Sequence, residues 1–285
     1  MANLRDLKGR ISTVKNIKQI TNAMKMVAAA KLRKSQDAVV KARPYAKHVE
    51  VMFKVVLAKN KNTTNPILKS INPAGKELLV IVTGDKGLCG SFNSSIIRFS
   101  TRYLEQNPNC DLIFFGRKGY DFFRRKEKYN IVAHFENMSE ISSVLDLHDQ
   151  REEILKLYLS GDYAKVFVIY NEFTSAIQQN LVHKQLLPVV PEASDDIAKF
   201  DYIYEPDENT IIEDLGLRYL GVSLWILFLE SNAAEQGARM TAMDNATTNA
   251  EELIDDLSLV YNRERQSQIT TQIIEVASGA QAINN

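Results

Sequence analysis

The chain has 285 residues, 45% hydrophobic and 25% charged, with 35 basic side chains set against 35 acidic ones. This is the composition of a soluble globular protein of one large domain or two ordinary ones. Two cysteines, Cys89 and Cys110, exclude a disulfide scaffold, and the apolar run Val222–Leu229 is far short of the ~20 residues that span a bilayer. The net charge of zero is a cancellation: residues 1–60 carry 14 Lys and Arg against 3 acids, whereas residues 205–285 carry 4 Arg against 14 acids. With no signal peptide visible, and no Arg- and Ser-rich lead-in at Met1–Leu7, a reducing compartment is expected.

Residues 1–58 are predicted as a helix. Leu4, Leu7, Ile11, Val14, Ile17, Ile20, Met24 and Val27 recur at spacings of three and four. The run 11, 14, 17, 20 breaks the heptad as a stammer does, and Lys8, Lys15, Lys18 and Lys25 fall off the stripe. Pro44 is expected to kink or restart the helix. The pattern resumes at Val49, Phe53 and Val56, then fades into a linker, 59–76.

Residues 77–206 change character. Leu78–Thr83, Leu112–Phe115 and Val166–Tyr170 are continuous apolar runs, the mark of strands buried on both faces. Helical stretches near 93–106, 117–127 and 140–159 alternate with them, which predicts βαβ units and a mostly parallel sheet. Leu181–Leu187 is a further strand candidate, ended by Pro188 and Pro191.

Residues 207–285 contain no proline and are predicted as one long helix, capped by Asp207 or Asn209. Leu253, Leu257, Val260, Ile269, Ile273 and Val276 mark its apolar side. Gly216, Gly221, Gly237 and Gly279 each cost an isolated helix about 1 kcal/mol, so close packing is expected to compensate. At ~1.5 Å per residue such a helix reaches ~115 Å.

Two helical ends of opposite charge can pair. Antiparallel pairing of Leu4 with Val260, Leu7 with Leu257, Ile11 with Leu253 and Val14 with Ala250 shares a number sum of 264. The same register sets Met24 against Met240 and Ala28–Ala30 against Ala234–Gln236. Residues 265–285 then have no partner, and their apolar side chains call for a surrounding protein. The alternative is an ordinary helical hairpin packed on its own domain.

No catalytic machinery stands out. Gly84-Asp-Lys-Gly-Leu-Cys-Gly90 follows a strand, but its glycines do not match a dinucleotide loop, and no acid follows Phe115 to hold a ribose. A phosphate-binding G-x-x-x-x-G-K-[ST] is missing. Cys89 has no sequence-evident histidine partner, and His48, His134, His148 and His183 lack metal-ligand spacing. No cofactor, metal or catalytic residue is therefore expected, and the basic first helix lacks the aromatics of a nucleic-acid binder.

Four blocks carry a resemblance that covers nearly the whole chain. Ile20-Thr-Asn-Ala-Met-Lys-Met-Val-Ala-Ala-Ala-Lys-Leu-Arg-Lys-Ser-Gln36 resembles the first-helix signature of the gamma subunits of F-type rotary ATP synthases. Thr83–Gly90 resembles their central-domain motif. Ala234–Met243 and Tyr261–Thr270, followed by Ala277-Ser-Gly-Ala280, resemble their last helix.

The resemblance implies an antiparallel coiled coil of the two ends with a Rossmann-like, mostly parallel α/β domain between them. It also implies a rotor shaft turning inside a hexamer of alpha and beta subunits, joined to epsilon and to a membrane ring of c subunits. The shaft is non-catalytic in itself and peripheral on the cytoplasmic face of a bacterial membrane, with no insertion into the bilayer. By matching positions, Met24, Arg239, Arg265, Gln266 and Thr270 are implied as contacts to beta, and Tyr202, Tyr204 and Glu205 as contacts to the c-ring. Two other readings remain: an α/β nucleotide-binding enzyme with a coiled-coil dimerisation arm, and a polyanion or membrane-surface binder acting through residues 1–60.

Overall fold

The computed structural model describes residues 4–59, 65, 67–137, 141, 143–176, 178–189, 205 and 207–283. Among the described residues eleven elements follow in order. Helix α1 (Leu4–Lys59) precedes β1 (Lys76–Val82), α2 (Phe92–Gln106), β2 (Cys110–Phe115), α3 (Arg117–Phe123) and β3 (Asn130–Phe135). A 3₁₀ turn (Leu145–Leu147), α4 (His148–Leu159), β4 (Tyr163–Phe173), β5 (Gln179–Leu187) and α5 (Glu208–Ile283) complete the chain. They form two compact units: a coil unit of Met1–Val27 and Met240–Asn285, and a sheet unit of Ala28–Arg239. Both long helices contribute to each.

The sheet has the order β3-β2-β1-β4-β5. Its first four strands are parallel; β5 runs antiparallel to β4, with His183 opposite Ile169. Residues alternate between two buried faces, which is why β1 and β2 read as unbroken apolar runs. On one face Leu79, Ile81, Leu112 and Phe114 meet Phe92, Ile96 and Leu104 of α2 and Phe123 of α3. On the other, Val80, Ile113, Phe115 and Val168 meet Ile154 and Tyr158 of α4, Phe53 of α1 and Leu220, Leu224 and Phe228 of α5. Strand β3, with its sequence Asn-Ile-Val-Ala-His-Phe, was not predicted. It lies at the sheet edge and is only half-buried, so it lacks the continuous apolar signature.

The expected restart at Pro44 does not occur, for α1 runs through it. Pro44 is exposed, and so is Val40, whose carbonyl loses its intrahelical donor but stays open to solvent. Helix α5 starts where expected. The Asp207 carboxylate accepts from the Thr210 amide at 3.1 Å and from its hydroxyl at 2.7 Å, satisfying an orphan donor of the first turn. In the sheet unit α5 is apolar nearly all round, as a helix between core and neighbour must be: Leu220, Val222, Leu224, Leu227, Phe228 and Leu229 are all buried. There Gly216 packs tightly against Ile67 and Phe53, and Gly237 against the backbone of Ala176. Gly279 departs from the expectation: among the described residues nothing from outside its own helical turn lies within 4 Å of where a side chain there would begin. Among the described residues no helix is long and apolar enough to cross a membrane.

Candidate functional site

In the coil unit α1 and α5 pair antiparallel, but not in the predicted register. The Thr247 hydroxyl donates to that of Thr21 at 2.8 Å, a number sum of 268. Flanking it, Lys18 reaches Glu251 at 2.7 Å and Lys25 reaches Asp244 at 2.6 Å, each one residue further on. The shift of four from the expected sum is close to one helical turn of ~3.6 residues. Such a shift returns each helix to nearly the same face, so the apolar pattern alone does not separate the two registers.

Burial shows which residues form the seam. On α1 the half-buried or buried positions are Leu4, Leu7, Ile11, Val14, Lys18, Thr21 and Lys25, with Met24 beside them. This is an unbroken alternation of threes and fours, with no stammer. Ile17 and Ile20, counted in the predicted stripe, are 46% and 58% exposed. On α5 the seam runs through Met243, Thr247, Ala250, Ile254, Leu257, Tyr261 and Glu264, whereas Leu253 and Val260 face outward. Lys18 and Lys25 thus sit on the seam rather than off it; long aliphatic stems follow the groove while the charged ends reach acids at its margin. Pairs this exposed contribute at most about 1 kcal/mol each, so the seam and not the opposite charge of the two ends holds the helices.

Beyond Glu264 every described side chain of α5 through Gly279 is exposed, including Arg265, Gln266 and Thr270. The Thr270 hydroxyl bonds back to the Gln266 carbonyl at 2.9 Å. Ile269, Ile273, Ile274 and Val276 are between 48% and 73% exposed on the same stretch. Of the candidate ring contacts, Glu205 is exposed, while Tyr202 and Tyr204 lie outside the described residues.

Arg239 is placed differently. Its guanidinium donates to the Gly87 carbonyl from Nε at 3.4 Å and Nη2 at 3.2 Å, pairs with Glu235 and reaches Gln236 at 3.1 Å. The Arg239 and Glu235 side chains are only 11% and 14% exposed. Burial raises the Glu235 carboxyl, and nearby Asp85 adds to this; Arg239, its main counterweight, and Lys31 pull the other way. The Gly84–Gly90 loop they touch is itself braced. Asn93 Oδ1 accepts from the Gly84 amide, Asn93 Nδ2 donates to the Lys86 carbonyl, and Asp85 accepts from the Arg117 amide.

This cluster lies at the carboxyl ends of β1 and β4, where the strand order reverses. That is where nucleotides bind in doubly wound sheets. Here the place is filled by the chain's own helix. Ala234 and Ala238 join the core cluster of Ile81, Cys89 and Ile169. A side chain at Gly84 would strike the Glu235 carboxylate, and one at Gly237 would press on Ala176. Cys89 and Cys110 are free and buried. Burial pushes the Cys89 thiol up, and burial with Glu77 pushes Cys110 up to about 12; both are inert structural thiols. Sequence reasoning missed the Glu235–Arg239–Gly87 contact. Its only signal was an acid and an arginine four apart on a helix, which is common on solvated faces.

The ATP synthase family matches residues 3–283. The "ATP synthase gamma chain" of Prosthecochloris aestuarii is 43% identical over 290 residues, covering 99% of both chains. That of Chloroherpeton thalassium is also 43% identical, over 304 residues and 99% of both. Among solved structures, a chain of the central stalk/c-ring of the Tetrahymena thermophila mitochondrial ATP synthase is 28% identical, with a TM-score of 0.62 over 80% of this chain and 99% of that one. A chain of the Euglena gracilis mitochondrial ATP synthase has a TM-score of 0.68 over 98% of this chain and 94% of that one; at 20% identity it speaks to the fold alone.

Proposed function

This chain belongs to the ATP synthase gamma-chain family, the rotor of the central stalk, and from that premise we propose how it works: its paired ends turn inside an alpha/beta hexamer and carry torque to and from a c-ring. Each beta conformation favours one orientation of an asymmetric shaft, and the preference runs both ways. Ion-driven rotation therefore biases nucleotide affinity, and ATP hydrolysis drives rotation backward. The observation that carries this reading is the stretch of α5 beyond Glu264, fully helical and unpaired by α1, with four large aliphatic side chains in water. Apolar area of this kind loses about 25 cal/mol per Å² while exposed, which a surrounding sleeve of alpha and beta recovers.

Within that sleeve Arg265, Gln266 and Thr270 are the polar contacts to beta, and Met24 meets it from α1. Arg239 belongs to the same set by resemblance, although its guanidinium is already engaged by Gly87 and Glu235. Glu205, with Tyr202 and Tyr204, faces the c-ring, and epsilon binds beside it on the cytoplasmic side of a bacterial membrane. The nucleotide-enzyme alternative loses its site to α5, which occupies the crevice it requires.

Mixing the chain with its own alpha and beta subunits tests the proposal. We expect a complex with one copy of this chain for every three beta, and ATPase activity that depends on it. A monomer indifferent to those subunits overturns the reading.

A further inference from the structure

We infer that Glu235 and Arg239 form a clasp that fixes α5 to the Gly84–Gly90 loop, and that turning force passes between helix and sheet through this joint. The force-carrying part rests on the rotor reading; the clasp itself rests on geometry alone. A helix that merely packs on a sheet by apolar contact resists separation but slides and rotates more readily, because dispersion and burial are not directional. Directional restraint needs hydrogen bonds, and charge-assisted ones are the strongest available.

The Gly84–Gly90 loop of the sheet unit supplies such bonds. Arg239 spans from α5 to the Gly87 carbonyl with two of its donors while pairing with Glu235 on its own helix. Glu235 in turn packs its carboxylate on Gly84 at the other end of the loop. The loop does not yield, because Asn93 ties both Gly84 and Lys86, and Asp85 is bonded to the start of α3. Opposite, the Gly237 backbone lies against Ala176 in the β4–β5 turn, so α5 is gripped from two sides at the carboxyl edge of the sheet. Thr83, which leads into the loop, is bonded to β2 through the Phe115 carbonyl at 2.8 Å. A load on Arg239 therefore reaches the central strands through a short series of directional bonds. The pair is mostly out of water, and leaving either partner alone would be costly.

Cys89 reports on the clasp. It belongs to the loop and turns its side chain into the core, 2% exposed, with Glu235 and Arg239 among its electrostatic neighbours. In the isolated full chain, without beta, alkylation of Cys89 by iodoacetamide should speed up about tenfold in Glu235→Ala and in Arg239→Ala, as expected when a charge-assisted bond holding a local structure closed is lost. Glu235→Gln, which keeps shape and an acceptor oxygen, should stay near wild type. Cys110, buried at the start of β2, is the folding control and should not change.

In vesicles carrying the assembled synthase, Glu235→Ala should keep ATP hydrolysis within about twofold while ATP-driven ion pumping falls about fivefold, and Glu235→Gln should restore it. Unchanged Cys89 reactivity in both alanine variants overturns the clasp. Faster Cys89 alkylation with undiminished pumping overturns its force-carrying role. A wild-type chain that fails to restore pumping overturns the rotor reading and takes that role with it, but leaves the thiol result standing as a test of the clasp.

Discussion

The coil unit and the sheet unit use the same kind of residues to opposite ends. In the sheet unit the aliphatic and aromatic side chains face one another: Leu78, Leu79, Val80, Ile81, Leu112, Ile113, Phe114 and Phe115 are all at 0% exposure. In the coil unit a large share of them faces water. Ile17, Ile20, Met26 and Val27 on α1 and Leu259, Ile273 and Val276 on α5 are 46–73% exposed, while Lys18, Thr21 and Lys25 occupy the seam. A protein that stood alone would place these sets the other way round. Exposed apolar residues beside a seam that is polar at Lys18, Thr21 and Lys25 describe a two-helix element held loosely by itself and completed by a partner.

The sharpest way to break that contrast is to remove a side chain from the sheet. Phe115 is fully buried, with ring centroids 5.0 Å from Phe135 and 4.6 Å from Phe228. Phe115→Ala should destabilise by about 3–5 kcal/mol, lowering the thermal midpoint by roughly 10 °C for a unit of this size. Calorimetry that found less than about 1 kcal/mol would mean the core collapses around the gap, and the sheet unit would then be as forgiving as the coil.

A smaller effect is expected from the polar peg in the coil. Thr21 is buried, and its hydroxyl oxygen and the Met243 carbonyl, at 2.8 and 2.7 Å, share the single hydroxyl proton of Thr247. Thr21→Val should cost about 1 kcal/mol by leaving Thr247 one bond short in the seam. Replacing both by valine removes the unmet group with little change of shape and should return the stability to near wild type. A double-mutant cycle on thermal melts reads the coupling. Additive losses would show that the two hydroxyls do not act as a pair, and that the register is set by Lys18–Glu251 and Lys25–Asp244 instead.

The same contrast explains what could be read from residues alone. Strands β1, β2 and β4 were legible because burial on both faces leaves no polar position in the run. Strand β3 was not, since an edge strand half in water keeps Asn130 and His134. Helix α5 and its Asp207 cap were legible from local chemistry. The seam was misread for a physical reason: hydrophobic periodicity counts apolar residues without knowing what they face. Ile17, Ile20, Leu253 and Val260 are apolar but point away from the partner helix, so they drew the predicted stripe and register by one turn. Arg239 was legible as important by resemblance, yet its bond to Gly87, 152 positions away, has no trace in a linear pattern.

The smallest predicted effect is electrostatic and belongs to the sheet unit. Glu230 is 6% exposed on α5, with Arg43 of α1 at 3.4 Å, and Glu172, Lys184 and Tyr170 nearby. Burial raises its carboxyl above the ordinary value of 4.5, Glu172 adds to this, and the largely exposed Arg43 only partly offsets it. A raised acid binds its proton more tightly in the folded chain than in the unfolded one. Its stabilising contribution is therefore complete below the ordinary carboxylate range and is lost as pH rises through the folded value. Glu230→Gln removes that loss. The variant should melt slightly above wild type at pH 8 and lose the advantage toward pH 4, while Glu235, raised in the same direction, leaves a residual slope in both proteins. If Glu230→Gln instead melted below wild type at pH 8 and matched it at pH 4, the attraction of Arg43 would outweigh desolvation at this site. The pair would then be a stabilising contact between α1 and α5 rather than a tolerated buried charge.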